Sequence, residues 1–120
     1  MLGRIVLAPL LFVLLVVPAA AEQRCGWLQN PTPRNWTLSD ADGDWLLSSQ
    51  GDQREAAGMD IIPDITVHDF VVTNPPDHGY ACACLSGDVD AQAMRIDRIT
   101  GFRQLPLRKC DADPNLSRPE

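Results

Sequence analysis

Apolar and polar residues alternate most regularly between positions 36 and 49. Asp42-Gly43, near the middle of this segment, is typical of a two-residue hairpin turn. A turn centred there pairs Leu38 with Leu47 and Asp40 with Trp45, because strand residues two apart share a face. The pattern therefore predicts a β-hairpin whose buried face carries its large apolar side chains: Trp36, Leu38, Trp45 and Leu47.

A second two-residue repeat runs from Tyr80 to Leu85 and contains two of the four cysteines. In a strand, Cys82 and Cys84 share a face with Tyr80, whereas the two alanines between them and Leu85 share the other. The remaining cysteines, Cys25 and Cys110, lie far away on either side. We expect a strand that is bridged to both of these segments to lie in the middle of a sheet.

The four cysteines are expected to form two disulfides, as is usual in small exported proteins. Cα atoms of Cys82 and Cys84 would be roughly 6.6 to 6.8 Å apart in a strand, which is unfavourable for a bridge. Cys25 and Cys110 should each pair with one of Cys82 and Cys84, and both pairings remain open. A zinc site usually has a wider cysteine spacing, and no thioredoxin-like unit surrounds this C-x-C. We therefore predict no metal and no cofactor.

Other β-rich runs lie between turn signals, and they predict an all-β fold: a small antiparallel sheet, as a meander or sandwich, stapled by two disulfides. Pro31 and Pro33 are expected to end the first strand and to form a rigid surface arm. The predicted strands, besides the hairpin and 80–85, are 25–29, 65–73, 93–98 and 102–105, with further turns at 74–79, 86–88 and 100–101.

Residues 1–21 are typical of a signal peptide. Arg4 precedes an apolar run over 5–17, and Ala19-Ala20-Ala21 is a small-residue cleavage site. We expect cleavage after Ala21, and a periplasmic or secreted mature chain with no membrane span. Residues 22–120 are then a single disulfide-stapled β domain, with 111–120 as a loosely ordered tail.

The whole chain has a formal net charge of −6, and removal of Arg4 with the leader makes the mature chain more acidic. Nucleic acids and anionic membranes attract the opposite charge, so they are excluded as expected partners. The acidic residues are scattered along the chain, which is typical of a solvated surface.

The assembled motifs resemble a bacterial exported family, the domain of unknown function 4087. The first half of the resemblance consists of Cys25-Gly26-Trp27, Asn30-Pro31-Thr32-Pro33, Trp36, Leu38, Asp40, Asp42-Gly43 and Trp45. The second half consists of Gly79-Tyr80, Cys82, Cys84-Leu85, Pro106-Leu107, Cys110 and Asp113-Pro114. The resemblance implies export from a bacterial cell, and it brings no known activity, cofactor or catalytic residue.

Three groups of residues are candidates for chemistry. Asp40, Asp42 and Asp44 invite a calcium hypothesis, but Gly43 comes too early for an EF-hand loop and position 49 is not glutamate. The two histidines support a hydrolase hypothesis, with His68 in the middle of a strand and His78 beside Asp77 in a turn. No serine or cysteine lies in a recognisable nucleophile motif.

The aromatic residues are the better candidates for binding. Trp27, Tyr80 and the adjacent Asn30 and Pro31 form a candidate partner-facing patch, because tryptophan and tyrosine are enriched at interface hot spots. The alternative is that these rings complete a small core. We therefore expect a non-catalytic exported binding module that recognises a protein or an envelope component. The alternatives are a small envelope hydrolase and a purely structural or stress-protective protein.

Overall fold

The computed structural model describes residues 3–13 and 22–120. Residues 3–13 have no regular secondary structure, and the predicted cleavage site at Ala19–Ala21 lies outside the described residues. No helix within the described ranges is long and apolar enough to cross a membrane.

Six strands and one short helix make up the domain. They are β1 (Glu22–Thr32), β2 (Asn35–Asp40), β3 (Gly43–Ser48), β4 (Val71–Asn74), β5 (His78–Asp90), β6 (Arg95–Leu105) and α1 (Leu107–Asp111). Two 3₁₀ turns, Met59–Ile61 and Ile65–Val67, lie in the connection between β3 and β4. The predicted all-β class is confirmed.

The strands form one mixed sheet in the order β1-β2-β3-β6-β5-β4, and β1 also pairs with β5. The sheet therefore closes into a ring of five strands, with β4 added beside the start of β5. The contact between β3 and β6 is parallel, through Leu46 and Arg95, whereas the other described strand pairs are antiparallel. Closure leaves few unpaired strand edges among the described strands.

The strand around Tyr80–Leu85 is central, as predicted, and it extends much further, from His78 to Asp90. One face of β5 contributes Ala81, Ala83 and Leu85 to the main core, together with Leu28, Leu38, Trp45, Leu47, Ile96 and Ile99. The other face contributes Tyr80 and Cys82 to a second cluster with Trp27 and Cys110. The alternation read from the sequence thus separates two cores.

Both disulfides tie β5 to segments near the ends of the domain. Cys25 bridges Cys84 directly across the β1–β5 pair, and Cys82 bridges Cys110 in α1. The prediction that Cys25 and Cys110 each pair with one of the two central cysteines is confirmed. In the chain-entropy picture, closing loops of 59 and 28 residues stabilises the fold by about 4 kcal/mol each.

The predicted hairpin is present, but its register differs. Leu38 pairs with Trp45 and Asp40 with Gly43, so the turn residues are Ala41 and Asp42. Asp40 determines this turn, because its Oδ1 accepts hydrogen bonds from the backbone N–H groups of Asp42 and Gly43. The partners of Leu38 and Asp40 move by two positions, which keeps these residues on the predicted face, while an irregularity after Trp36 places Trp36 opposite Ser48.

Three other local predictions were wrong. Pro31 does not end β1, which continues to Thr32 through an irregular register, where a missing N–H is tolerated. The segment 65–73 forms a strand only from Val71, and His68 lies in an exposed bend rather than in mid-strand. No turn forms at 86–88 or at 100–101. Both segments lie within continuous strands, opposite each other, and the pairing of β5 with β6 is irregular there. There Gly87 permits the close approach of the Arg98 carbonyl.

Candidate functional site

Two regions at opposite ends of the β1–β2 pair concentrate polar and aromatic side chains. Arg24 lies six residues before Asn30 on β1, which corresponds to about 20 Å along an extended strand. Asp40 ends β2 beside Arg24, and Trp36 lies near the start of β2 beside Asn30. We call the first region the ion-paired end and the second the cleft end.

At the ion-paired end, the Arg24 guanidinium is held by three carboxylates and one aromatic ring. Nη1 lies 2.8 Å from Asp40 Oδ2 and 2.9 Å from Asp42 Oδ2, and Nη2 lies 3.1 Å from Glu22 Oε1. The guanidinium carbon lies 3.7 Å from the centre of the Trp45 ring. The side chains of Arg24 and Asp40 are only 13% and 8% exposed. The Arg24–Asp40 pair is therefore mostly buried, whereas Glu22 and Asp42 reach it from the surface.

Asp40 connects the parts of this network. Its Oδ1 accepts a hydrogen bond of 2.9 Å from Trp45 Nε1 as well as those of the turn. Burial alone would raise the pKa of Asp40, but the hydrogen bonds from Arg24, Trp45 and the Asp42 backbone outweigh it and lower the pKa. The carboxylate therefore stays ionised and keeps its guanidinium partner.

At the cleft end, residues from distant parts of the chain surround a cavity of about 240 Å³. Strand ends supply Asn30, Trp36 and His78, the 3₁₀ region and its flanks supply residues 63–66 and Phe70, and the turn before β5 supplies Asp77. Trp36 and Phe70 also pack against the main core, which fixes these walls. The cleft is thus a concave site on a rigid frame.

Asn30 orients His78 within this cleft. Asn30 Nδ2 donates to the carbonyls of Thr32 and Asn35 at 2.9 and 2.8 Å, so its Oδ1 faces His78 Nδ1 at 3.1 Å. Nδ1 also faces the Asn30 carbonyl, and two oxygen acceptors require a hydrogen on this nitrogen. His78 Nε2 is directed instead towards Asp77 Oδ1, 3.5 Å away.

These contacts bear on the hydrolase hypothesis. His78 and Asp77 lie together as predicted, but no serine or cysteine is among the residues that line the cleft. The hydroxyl in the lining belongs to Thr66, and it donates to Asp64 Oδ1 at 2.6 Å. His68 is not among the residues that line this cleft; it lines a separate groove. The structure therefore does not bring the two histidines together with a nucleophile.

A second, broader groove of about 590 Å³ lies between residues 67–69 and 104–106. Gln104 Nε2 donates to the carbonyls of Ile65 and Asp69 at 2.9 and 3.1 Å. Asp69 Oδ2 accepts a hydrogen bond from the Leu107 N–H at 3.2 Å. These bonds anchor the 3₁₀ segment to β6 and α1, so they also fix one wall of the cleft end.

The predicted partner-facing aromatics lie in the interior. Trp27 and Tyr80 are 1% and 4% exposed, and their rings meet edge to face with centres 5.3 Å apart. Leu116 packs against the same cluster, and the Arg118 guanidinium lies 5.8 Å from both rings. These two rings therefore fit the alternative in which they complete a core. Of the other residues in the predicted patch, Pro31 is exposed and Asn30 is half-buried.

Within the described residues, no group of three or more histidine, cysteine, aspartate or glutamate side chains is arranged to hold a metal ion. Asp40 and Asp42 bind Arg24 instead, and Asp44 accepts a hydrogen bond from the Ser39 hydroxyl. The carboxylates of the hairpin turn therefore serve the protein's own polar groups.

Comparison with known proteins gives one match. The family model described as "Protein of unknown function (DUF4087)" matches residues 19–117. No curated protein and no solved structure matches. The match covers the six strands, both disulfides and the cleft, and the chain therefore belongs to the DUF4087 family.

Proposed function

We propose that the protein is an exported, non-catalytic binding module that recognises a protein or an envelope component through the cleft end. The observation that carries this proposal is a concave site with two aromatic walls, Trp36 and Phe70, built on a disulfide-stapled sheet. Pockets with aromatic walls and a few fixed polar groups are the usual form of binding sites.

The size of the cleft favours part of a macromolecule as the ligand. Its volume of about 240 Å³ lies below the roughly 300 to 1,000 Å³ of pockets that enclose drug-sized molecules. One side chain or one small head group fills such a space. The remaining binding energy then comes from the surface around the cleft.

Export to the periplasm or medium, with cleavage after Ala21, is part of the proposal. Two disulfides are typical of chains that fold in an oxidising compartment. The acidic net charge further supports a partner other than nucleic acid or an anionic membrane surface.

Site-specific photocrosslinking in cells tests the proposal. A photoreactive phenylalanine derivative at position 63 replaces an exposed proline that lines the cleft and has no N–H to lose. The matched control places the same group at Thr100, which is exposed on β6 and lines neither cavity.

A discrete adduct from position 63 that is absent from position 100 is the expected result. Identical adduct patterns from both positions, or none from either, would contradict a role for the cleft in binding. In that case the structural or stress-protective alternative becomes the better account.

A further inference from the structure

We propose that the cleft end binds the guanidinium or ammonium group of an arginine or lysine side chain on a partner polypeptide. This inference rests on the proposed binding function and adds the chemistry of the group that is bound. It follows from the charges that line the cleft and from a comparison with the ion-paired end of the same sheet.

The lining of the cleft combines negative charge with aromatic surface. Asp64 and Asp77 contribute two carboxylates, and no lysine or arginine is among the lining residues of the described chain. Hydrogen bonds from the Thr66 hydroxyl and backbone N–H lower the pKa of Asp64, so this carboxylate remains ionised at neutral pH. Those bonds reach Oδ1 only, and Oδ2 remains available to a ligand.

The ion-paired end shows what such a set of groups binds in this protein. There, Trp45 and the carboxylates of Asp40 and Asp42 surround the Arg24 guanidinium. In the described chain the cleft end has the corresponding groups, a tryptophan and two aspartates, and no lysine or arginine in its lining; Asp77 lies 3.5 Å from His78 Nε2. Carboxylates and aromatic faces both attract organic cations.

Anionic and neutral ligands fit this cleft less well. An anion would meet two carboxylates and the negative field of the whole chain, whose formal net charge is −6. A purely apolar side chain would have to remove water from Asp64 and Asp77 without replacing those interactions, which is costly. A long basic side chain satisfies both surfaces, because its methylene groups contact the rings while its charged end reaches the rim.

Calorimetric titration of the chain 22–120 with short peptides tests the inference. The probe is acetyl-Gly-Arg-Gly-amide, and the control is the same peptide with citrulline, which has a similar shape but no charge. At low ionic strength we expect the arginine peptide to bind about tenfold more tightly, since two carboxylates and a ring each contribute a factor of a few.

The double variant Asp64→Asn/Asp77→Asn removes both rim charges with little change in shape, and asparagine at position 64 can still cap the 3₁₀ turn. We expect it to weaken binding of the arginine peptide by about tenfold. The matched control, Asp60→Asn/Asp97→Asn, changes two exposed aspartates outside the cleft by the same charge. We expect this variant to weaken binding less than about twofold, because exposed charges that do not line the cleft are screened by solvent and salt.

Three results would overturn the inference. Equal affinity for the arginine and citrulline peptides would show that charge does not determine binding. Equal weakening in the two double variants would show a general charge effect instead of a site. Absence of measurable binding of the arginine peptide would show that the cleft does not take this group, while the crosslinking result at position 63 would still decide whether the cleft binds a partner.

Discussion

The two ends of the β1–β2 pair carry similar groups, which bind an arginine of the chain at one end and line a cavity at the other. At one end a guanidinium lies on a tryptophan between carboxylates, and all of these groups come from the chain itself. At the other end a tryptophan and two carboxylates surround a cavity. One arrangement is complete and stabilises the fold, and the other leaves its charged groups at the surface.

The difference arises from the segments that cover each end. The tight turn between β2 and β3 places Asp42 over Arg24 and closes the ion-paired end. The long connection between β3 and β4 passes over the cleft end and contributes residues 63–66 and Phe70 to its wall. The short β2–β3 turn thus completes the network around Arg24, whereas the long β3–β4 connection, which a few hydrogen bonds hold in place, forms a wall of the cleft.

The largest effect that we expect from the comparison is the loss of stability when Arg24 is replaced. Arg24→Ala leaves the Asp40 carboxylate buried without its cation, so the free energy of unfolding should fall by about 3 kcal/mol. Urea denaturation measures this change. The control Arg98→Ala breaks a 3.7 Å pair with Asp88 in which both side chains are 62% exposed, and it should cost less than about 1 kcal/mol. Equal losses in the two variants would contradict a special role for the ion-paired end.

The pH dependence of stability should carry the signature of Asp40. Its pKa is lowered in the folded protein because hydrogen bonds outweigh the effect of burial. The resulting stabilisation is therefore present above the ordinary aspartate pKa and is lost as pH falls through the folded value. As pH falls from 7 through the ordinary aspartate range and below it, Asp40→Asn should lose less stability than the wild type.

Denaturation at a series of pH values tests this prediction, with Asp60→Asn as the control for an exposed carboxylate outside the network. If the free energy of unfolding falls equally with pH in the wild type and in Asp40→Asn, another group dominates the loss of stability in acid.

The smallest expected effect is at the cleft end. Asp64→Asn/Asp77→Asn should leave the free energy of unfolding nearly unchanged, because both carboxylates are exposed. Thermal unfolding of this variant beside Arg24→Ala measures the contrast directly. A destabilisation comparable to that of Arg24→Ala would mean that the cleft carboxylates serve the fold rather than a ligand.

The sequence was sufficient for the local patterns of this fold. Alternation identified the buried face of the hairpin and the two faces of β5, and strand geometry excluded a bridge between Cys82 and Cys84. Spacing could not choose between the two remaining pairings, because that choice depends on the β1–β5 register. The predicted hairpin register was wrong, since Asp42-Gly43 was taken as the turn, whereas Asp40 accepts hydrogen bonds from the N–H groups of Asp42 and Gly43 and the turn residues are Ala41 and Asp42.

The cleft could not be predicted, because it depends on tertiary contacts across long sequence separations. Asn30 and His78 are 48 positions apart, and nothing in either local sequence indicates that they meet. Asn30 was a candidate within a patch centred on Trp27, but that ring is buried in the second cluster, and Asn30 lies beside Trp36 instead. Phe70 lies just before the part of the predicted 65–73 strand that forms, and its place in the cleft wall is visible only in the structure.

The indole N–H resonances of the three tryptophans offer the most direct test of the central claim, because each ring reports on a different region. Trp36 lines the cleft, Trp45 lies against Arg24, and Trp27 is in the second core. During titration of ¹⁵N-labelled protein with acetyl-Gly-Arg-Gly-amide, the account predicts a saturable shift of the Trp36 resonance, with Trp27 and Trp45 nearly unchanged. A Trp36 resonance that stays fixed, or three resonances that move together, would contradict it.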